Sequence, residues 1–282
     1  MSEPASESAG TAVNSGLRRS RFSFNQITAK LWGLEEMVAG CVAAGVDQVA
    51  LWREPVAEYG LARSAALVRD AGLTVTTLCR SGFFQLPDWF DDNRRAIDEA
   101  AALGTKVLVL VSGGLPDGSR DLAGARRHVA DAIGRLAPYA AAAGVTLAIE
   151  PLHPMYAADR CVISTWDQAM AIAEQHPAGQ VGVTVDTYHL WWDDTVLEKI
   201  ARAGERIAIY QLADWITPLP AGVLTGRGLP GDGCVDMRAF HDAVDKAGYA
   251  GPIEVEVMNA GLWERPGREV LDVTLTAYDS VF

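Results

Sequence analysis

The sequence predicts an α/β protein whose main domain is a single (β/α)8 barrel, in which eight parallel strands alternate with helices. A short β-branched or apolar run followed by a longer Ala- and Leu-rich stretch with helical spacing occurs eight times after Arg21. The chain has 282 residues, which suits a barrel of roughly 250 residues. An open, doubly wound sheet is the alternative, but it usually has fewer strands, and no G-x-G-x-x-G motif follows the first predicted strand.

The predicted strands share short length and β-branched or apolar composition, and in chain order they are Phe22–Asn25, Gln48–Trp52, Leu73–Cys79, Lys106–Ser112, Val145–Glu150, Val181–Asp186, Arg206–Leu212 and Ile253–Met258. Each is followed by a stretch with helical periodicity, near residues 34–44, 57–71, 88–103, 120–143, 165–176, 194–203, 236–247 and 267–280. Because a helix lies between each pair of strands, the strands are expected to run parallel.

An Ala-Gly step followed by Val, Leu or Tyr ends four of the predicted helices, at Gly45, Gly72, Gly144 and Gly248. Glycine adopts the left-handed conformation at a helix C-terminus at low steric cost. These steps therefore predict the turns that lead from a helix into the next strand.

Residues 1–20 are rich in Ser, Ala, Gly and Glu and carry few large apolar side chains. Such a segment buries too little surface to offset its ordering entropy, so we predict a mobile tail before a barrel over residues 21–282. An Arg-rich organelle transit peptide is the alternative, which Glu3 and Glu7 disfavour.

Composition excludes several classes of protein. The net charge of −12 and the absence of Lys/Arg clusters argue against a nucleic-acid partner. No apolar run reaches the ~18–20 residues of a membrane span. The cysteines are scattered with no C-x-x-C pair, so we expect no disulfide framework and a cytoplasmic protein.

The active site of such a barrel lies at the C-terminal ends of its strands. Four consecutive predicted strands carry oxygen-bearing side chains there: Glu150, Asp186, Gln211 and Glu256. Converging carboxylates repel one another unless a cation neutralises them, and this donor set suits one hard divalent ion. We expect Mn²⁺, with Mg²⁺ or Co²⁺ as alternatives; Zn²⁺ and Ca²⁺ are less natural.

A purely structural role is the other interpretation, in which each acidic side chain pairs with an arginine such as Arg53, Arg80 or Arg227. Glu254 shares the inward face of its strand with Glu256, because strand side chains alternate with period two. We assign Glu256 to the site because it lies nearer the end of the strand, and we expect Glu254 to be a deeper, ion-paired residue.

From about Phe22 to its C-terminus the chain resembles the xylose-isomerase-like barrels, which include sugar isomerases and epimerases such as tagatose/psicose 3-epimerase, hydroxypyruvate isomerase and inosose dehydratase. The motifs that carry this resemblance are Ile149-Glu150-Pro151-Leu152, Val185-Asp186-Thr187-Tyr188-His189, Tyr210-Gln211-Leu212-Ala213-Asp214, Gly226-Arg227-Gly228-Leu229-Pro230-Gly231-Asp232-Gly233 and Gly251-Pro252-Ile253-Glu254-Val255-Glu256.

The resemblance implies that the four strand-end residues bind the metal and that Glu150 and Glu256 are also the catalytic acid and base. His189 would contact a substrate oxygen, and Arg227 would hold a substrate hydroxyl or orient a glutamate. Many relatives have His where Gln211 stands, although the hydroxypyruvate-isomerase branch is similar to this chain. Related barrels are often dimers or tetramers, so a homo-oligomer is expected.

These assignments predict a keto-sugar isomerase or epimerase of carbohydrate metabolism, in which a glutamate removes a proton and a metal-stabilised enediolate forms. A lyase or dehydratase acting on an inosose, a 3-keto-sugar or a keto-glycoside shares this first step and is the principal alternative. A DNA-repair AP-endonuclease-like protein is disfavoured by the acidic charge and by the few histidines. A catalytically inactive regulatory barrel is a third alternative.

Three loop residues are predicted to contact substrate. His153 follows Glu150 by three residues in a Pro-flanked loop, with a plain loop hydrogen bond as the alternative role. Trp192 and Trp215 are the first choices among the aromatic residues after the strands, because aromatic faces suit the C–H faces of a sugar. Gly226–Gly233 lacks the G-K-[ST] ending of a phosphate loop and is predicted to be a flexible rim loop.

Overall fold

A computed structural model describes residues 19–282 of the chain. Within this part, eight parallel strands pair in sequence order and the last pairs with the first, which closes the barrel. The strands are β1 (Phe22–Asn25), β2 (Gln48–Trp52), β3 (Thr74–Gly82), β4 (Val107–Val111), β5 (Thr146–Ile149), β6 (Val181–Asp186), β7 (Ile207–Leu212) and β8 (Ile253–Val255). The predicted (β/α)8 fold is therefore confirmed.

The predicted strand bounds differ from the observed ones mainly at the C-terminal ends. β3 continues beyond the predicted end to Gly82, so Arg80 lies within the strand. β8 ends at Val255, and Glu256 is the residue that directly follows it. Both differences place polar side chains at the mouth of the barrel, where the strand pattern gives way to loops.

Helices follow the strands as predicted and surround the barrel: α1 (Leu34–Ala43), α2 (Arg53–Tyr59), α3 (Leu61–Asp70), α4 (Trp89–Leu103), α5 (Leu122–Ala142), α6 (Trp166–Ala173), α7 (Thr187–Leu190), α8 (Val196–Ile200), α9 (Met237–Lys246), α10 (Ala260–Trp263) and α11 (Gly267–Val281). The glycines of the four Ala-Gly steps have positive φ angles between 69° and 84°. Their predicted role in the helix-to-strand turns is confirmed.

Two features of the helices differ from the prediction. The stretch predicted as one helix over 57–71 is divided at Gly60, whose φ of 98° is incompatible with a continuous helix. The short helices α7 and α10 were not predicted; they begin at side-chain caps, where Asp186 accepts from Tyr188 N and Asn259 accepts from Gly261 N and Leu262 N.

The tail predicted for residues 1–20 lies outside the described residues except for Arg19 and Ser20. Arg19 forms an ion pair with Asp279, and the carbonyl of Ser20 accepts a hydrogen bond from the Gln48 amide. Across residues 19–282, none of the helices combines the length and the apolar character needed to cross a bilayer.

The main hydrophobic core lies between the barrel wall and the helices. On β8, Ile253 and Val255 belong to this core, whereas Glu254 between them projects from the opposite face of the strand. A smaller apolar cluster contains Ile27, Trp52, Cys79, Val109 and Ile209. The alternation along each strand thus separates the packed core from the polar barrel interior.

We predict that Leu78→Ala lowers the free energy of unfolding by about 2–5 kcal/mol, because the substitution leaves a cavity in the core. Leu78 is fully buried, whereas Leu31 is 75% exposed. Leu31→Ala is the matched control and should change stability by less than about 0.5 kcal/mol. Denaturant unfolding of the two variants measures the difference, and equal effects would contradict the assignment of Leu78 to the core.

Candidate active site

The structure brings together the four side chains predicted to hold a metal. Glu150 directly follows β5, Asp186 ends β6, Gln211 lies near the end of β7, and Glu256 directly follows β8. All four are buried. Because consecutive strands of the barrel carry them, they line one side of its mouth.

Two basic side chains connect the carboxylates of this group. Nη1 of Arg227 lies 3.5 Å from Oδ2 of Asp186 and 3.4 Å from Oε2 of Glu256. Nε2 of His189 lies 3.8 Å from Oε1 of Glu150 and 3.8 Å from Oδ2 of Asp186. Ligand atoms of Glu150, Asp186 and His189 lie within 4.8 Å of one another, whereas Glu256 forms such a group with Glu254 and Cys79. Arg227 bridges the two groups through Asp186 and Glu256.

Glu254 lies deeper in the barrel and is held by neutral donors. Its Oε1 accepts from Asn25 Nδ2 at 2.7 Å and from Gln211 Nε2 at 2.8 Å. Its Oε2 accepts from Thr77 Oγ1 at 2.8 Å and from Thr76 Oγ1 at 3.3 Å. Among residues 19–282 no cationic side chain forms an ion pair with it, so the expectation that Glu254 is ion-paired is wrong.

The carboxylate of Glu254 fixes the orientation of the Gln211 amide. A carboxylate accepts hydrogen bonds, so the NH₂ group of Gln211 faces Glu254 and its carbonyl oxygen, Oε1, faces away. That oxygen is buried and accepts no hydrogen bond from residues 19–282. Gln211 therefore presents an unpaired oxygen, which is the atom a cation would bind.

Asp186 shows the same arrangement. Its Oδ1 accepts from Tyr188 N at 2.7 Å, whereas its Oδ2 is buried and accepts no hydrogen bond within the described chain. A buried acceptor without a donor costs free energy, which a bound cation would recover. Oδ2 of Asp186 has ion-pair contacts with Arg227 at 3.5 Å and His189 at 3.8 Å but no hydrogen bond. It and the unpaired oxygen of Gln211 fit a divalent ion.

Burial raises the pKa of each carboxyl group in this region. The pKa of Glu150 is raised by burial and by the charges of Glu256 and Asp186, while Arg227 opposes the shift. Burial raises the pKa of Asp186 to about 7, again opposed by Arg227. Burial also raises the pKa of Glu256 and, with help from the Glu256 charge, that of Glu254 to about 7. One guanidinium is insufficient to keep these carboxyl groups ionised, which again favours a second cation.

His189 does not offer a nitrogen to the metal. The backbone N–H of His153 donates to Nδ1 of His189 at 3.1 Å, so the neutral ring carries its proton on Nε2. Burial and the charge of Arg227 lower the pKa of His189, which keeps the ring neutral. The nitrogen that faces the carboxylates is therefore a hydrogen-bond donor, and the donor set for the ion consists of oxygens.

Nε2 of His189 and Nη2 of Arg227 lie 3.2 Å apart. Both are donors when Nδ1 of His189 is the accepting nitrogen, so they converge on a point that suits an oxygen acceptor. Arg227 is held there by its loop: the carboxylate of Asp214 accepts from the backbone of Gly231, Gly233 and Val235. The Gly226–Gly233 segment is thus anchored at Gly231 and Gly233, and its flexibility stays a prediction.

Two adjoining cavities open beside the carboxylates. The inner one measures about 20 Å³ and is lined by Glu150, His189, Arg227 and Glu256 among others. The outer one measures about 430 Å³. The residues that line both are Trp52, Arg80, Arg160, Leu224 and Met258. The inner cavity has room for about one water-sized group and is not lined by Asp186 or Gln211. The outer cavity suits the body of a small substrate.

The loop residues predicted to bind substrate lie beside these cavities and line neither of them. His153 stacks on Trp215 with ring centroids 4.8 Å apart, and Trp215 is largely buried. Trp192 donates from Nε1 to the carbonyl of His189 at 2.8 Å. His153 and Trp192 each donate a hydrogen bond to His189, and Trp215 packs on His153. Contact of these three residues with substrate stays a prediction.

Trp52, Arg160, Leu224 and Met258 line both cavities but were not selected from the sequence as substrate contacts. Trp52 was detectable because it ends β2, and its Nε1 donates to Asn25 Oδ1 at 2.9 Å. Arg160 and Leu224 lie in long loops whose paths no strand pattern predicts. The structure therefore identifies cavity-lining residues from the loops, in addition to those that the strand pattern predicts.

Comparison with curated proteins gives relatives that are enzymes. The chain is 30% identical over 251 residues to a 3-dehydroshikimate dehydratase of Pseudomonas aeruginosa, an alignment that covers 83% of this chain and 38% of the relative. It is 27% identical to an inosose isomerase of Bacillus subtilis, over 52% of each protein. It is 25% identical to a ketose 3-epimerase of Arthrobacter globiformis, over 74% of this chain and 68% of the relative. The chain thus spans about half or less of the length of the first two relatives.

Solved structures share the fold over nearly the whole chain. A protein of Sinorhizobium meliloti 1021 is 44% identical, with a TM-score of 0.90 over 93% of this chain and 98% of that protein. A zinc-bound protein named IolI is 21% identical, with a TM-score of 0.79 over 93% of this chain and 97% of that protein, a likeness that shows the fold alone.

The model of one protein family, described as xylose isomerase-like TIM barrel, matches residues 38–275. Because this match covers most of the chain and agrees with the closed barrel, the chain belongs to the xylose isomerase-like TIM barrel family.

Proposed function

We propose that this protein is a divalent-metal-dependent isomerase or epimerase of a small keto-sugar. The observation that carries the proposal is that Glu150 and Glu256 line one inner cavity from β5 and β8, while β6 and β7 between them carry Asp186 and Gln211. Two acid/base groups therefore flank the oxygens that fit an ion. Such a pair can remove a proton from one face of a carbon and return one to the other.

The ion would be held by Glu150, Asp186, Gln211 and Glu256, and Mn²⁺ suits these oxygen donors best, with Mg²⁺ and Co²⁺ as alternatives. When bound, the ion would polarise the substrate carbonyl, which makes the adjacent C–H bond more acidic.

The chain's own residues move the proton and stabilise the charge that develops. Glu150 and Glu256 both line the inner cavity, where they would remove and return the proton. The converging donors of His189 and Arg227 would bind the substrate oxygen on which negative charge accumulates. The apolar side chains of Trp52, Leu224 and Met258 at the junction exclude water.

Dehydration is the second candidate function: after the same deprotonation, the hydroxyl on the adjacent carbon leaves as water, and a C=C bond forms. The 30% identity to a 3-dehydroshikimate dehydratase over 83% of this chain favours it. Both functions begin with removal of a proton next to a carbonyl, and they differ in whether a neighbouring hydroxyl leaves. Product mass separates them: an unchanged mass indicates isomerisation or epimerisation, and loss of water indicates a dehydratase. An inosose, a ketohexose and 3-dehydroshikimate form the first substrate panel.

We predict that Glu150→Gln and Glu256→Gln each reduce turnover by about 10²–10⁴-fold, because each removes one acid/base group. In an epimerase, each variant should still exchange deuterium from solvent into the one epimer whose proton faces the remaining glutamate. Mass spectrometry of substrates incubated in D₂O measures both effects.

Glutamine retains an oxygen at each position, and metal analysis of the variants separates loss of the ion from loss of the base. The exposed Glu205 provides the matched control, and Glu205→Gln should be as active as the wild type. Near-wild-type turnover by either active-site variant would refute the acid/base assignment.

We predict that Mn²⁺ raises the Tm more at pH 8 than at pH 6. Burial raises the pKa of Asp186 to about 7, so without an ion its contribution to stability is fully present below the usual carboxyl range. That contribution is lost as the pH rises through about 7. The ion binds the ionised carboxylates, so it restores most stability where they are deprotonated. Thermal unfolding with EDTA or Mn²⁺ at the two pH values measures the gain.

Asp186→Asn should reduce the gain in Tm, and Asp117→Asn, at an exposed loop position, is the matched control. A wild-type gain that does not depend on pH, or no gain with Mn²⁺, Mg²⁺ or Co²⁺, would contradict the proposed ion site.

A further inference from the structure

Two arginines line the junction of the inner and outer cavities. Arg80 comes from β3, and Arg160 comes from the loop between β5 and α6. Both line the inner cavity with Glu150 and Glu256, and both also line the outer cavity. They are the charged residues that the two cavities have in common.

Neither arginine has an anionic partner. Among residues 19–282, no carboxylate forms an ion pair with Arg80 or Arg160. Nε of each guanidinium is buried and donates no hydrogen bond to the described chain. Buried donors of a charged group are normally paired, because an unpaired one loses the hydrogen bonds it makes in water.

The fold holds these like charges together. The guanidinium of Arg80 lies 4.4 Å from the ring centroid of Phe83 and 5.7 Å from that of Trp52, which restricts its position. Burial and the charge of Arg160 lower the pKa of Arg80, and the carboxylates of Glu54 and Glu150 only partly compensate. Two cations that repel each other beside a cavity form a site whose missing component is an anion.

The acidic residues of the outer cavity are not the anion that would pair with Arg80 and Arg160. Glu54 and Glu58 line the outer cavity with Lys30, but they are not among the residues that reach the inner one. The positive charge is therefore concentrated at the junction, next to the carboxylates that would carry out the chemistry.

We propose that Arg80 and Arg160 together bind an oxyanion group of the substrate, a carboxylate or a phosphate, so that the enzyme selects an acidic keto-sugar over a neutral one. This inference rests on the proposed function, since it places the keto end of the same molecule beside Glu150 and Glu256. Guanidinium groups bind both oxyanions through paired N–H donors. The apolar side chains of Trp52, Leu224 and Met258 would contact the carbon skeleton between the two ends.

A matched series of ketohexoses tests the proposal: D-fructose is neutral, D-fructuronate carries a carboxylate and D-fructose 6-phosphate carries a phosphate. Binding to the Mn²⁺-loaded full chain is measured by calorimetry, so the readout does not require turnover. We expect at least one of the acidic members to bind about tenfold or more tightly than D-fructose, as charge-assisted hydrogen bonds imply. Whichever acidic member binds more tightly distinguishes carboxylate from phosphate.

Arg80→Gln and Arg160→Gln should each abolish this preference, while Arg120→Gln, at an exposed position, should retain it. Each active-site variant should have an unchanged or higher Tm, because the substitution relieves repulsion. Equal or undetectable binding of all three sugars by the wild type, or a preference that survives both substitutions, would overturn the proposal. A lowered Tm in both variants would assign the arginines a structural role instead.

The two proposals fail in different ways. An arginine-dependent preference for an acidic sugar, without deuterium exchange into any sugar of the panel, would retain the oxyanion site and overturn the proposed function. Exchange that depends on Glu150 and Glu256 but is indifferent to the arginines would retain the function and overturn the oxyanion site.

Discussion

The burial of four carboxyl groups at one end of the barrel is the constraint on which the rest of the site depends. Glu150, Asp186, Glu254 and Glu256 are all nearly inaccessible to solvent, and Arg227 is the one buried guanidinium in contact with them among the described residues. Buried carboxylates resist ionisation unless they are neutralised, and the raised pKa values show that Arg227 does not neutralise them fully. A divalent cation would resolve this imbalance, and Oε1 of Gln211 is buried without a hydrogen-bond partner in the described chain.

The buried polar side chains form two layers, one at the mouth of the barrel and one deeper inside it. The deeper layer is Glu254, whose two carboxylate oxygens accept four hydrogen bonds from neutral side chains. By accepting from the NH₂ groups of Asn25 and Gln211, it also sets which atom of each amide faces the mouth. Asn25 also donates to Glu256 at 3.1 Å, so one hydrogen-bonded network orients both Gln211 and Glu256. The chemistry of the mouth thus depends on a residue that takes no direct part in it.

The sequence predicted the positions of the site residues on the strands, but it did not predict the positions of those in the loops. Strand periodicity and the Ala-Gly turns located the barrel, and the strand ends located Glu150, Asp186, Gln211 and Glu256, because parallel strands bring their C-terminal ends together. Trp192 and Trp215 were selected by residue type, but the path of the chain after β6 and β7 turns them toward His153 and His189. Arg160 was missed because a loop of irregular structure brings it to β3, which no periodic pattern encodes.

This division between strands and loops also explains why the oxygens alone do not determine the reaction. In the proposed function, removal of a proton beside a carbonyl needs an ion, a base and a donor to the developing oxyanion, and the strand ends with His189 and Arg227 are the groups that would supply them. The proton can return to the same carbon or to its neighbour, or a hydroxyl can leave instead. Which of these occurs depends on how the rest of the substrate is oriented. That placement is set by the outer cavity and its junction, where Arg80 is the one strand-borne cation and Arg160 comes from a loop. The relatives include a dehydratase, an isomerase and an epimerase, which is the range expected when one barrel supports different chemistry through its loops.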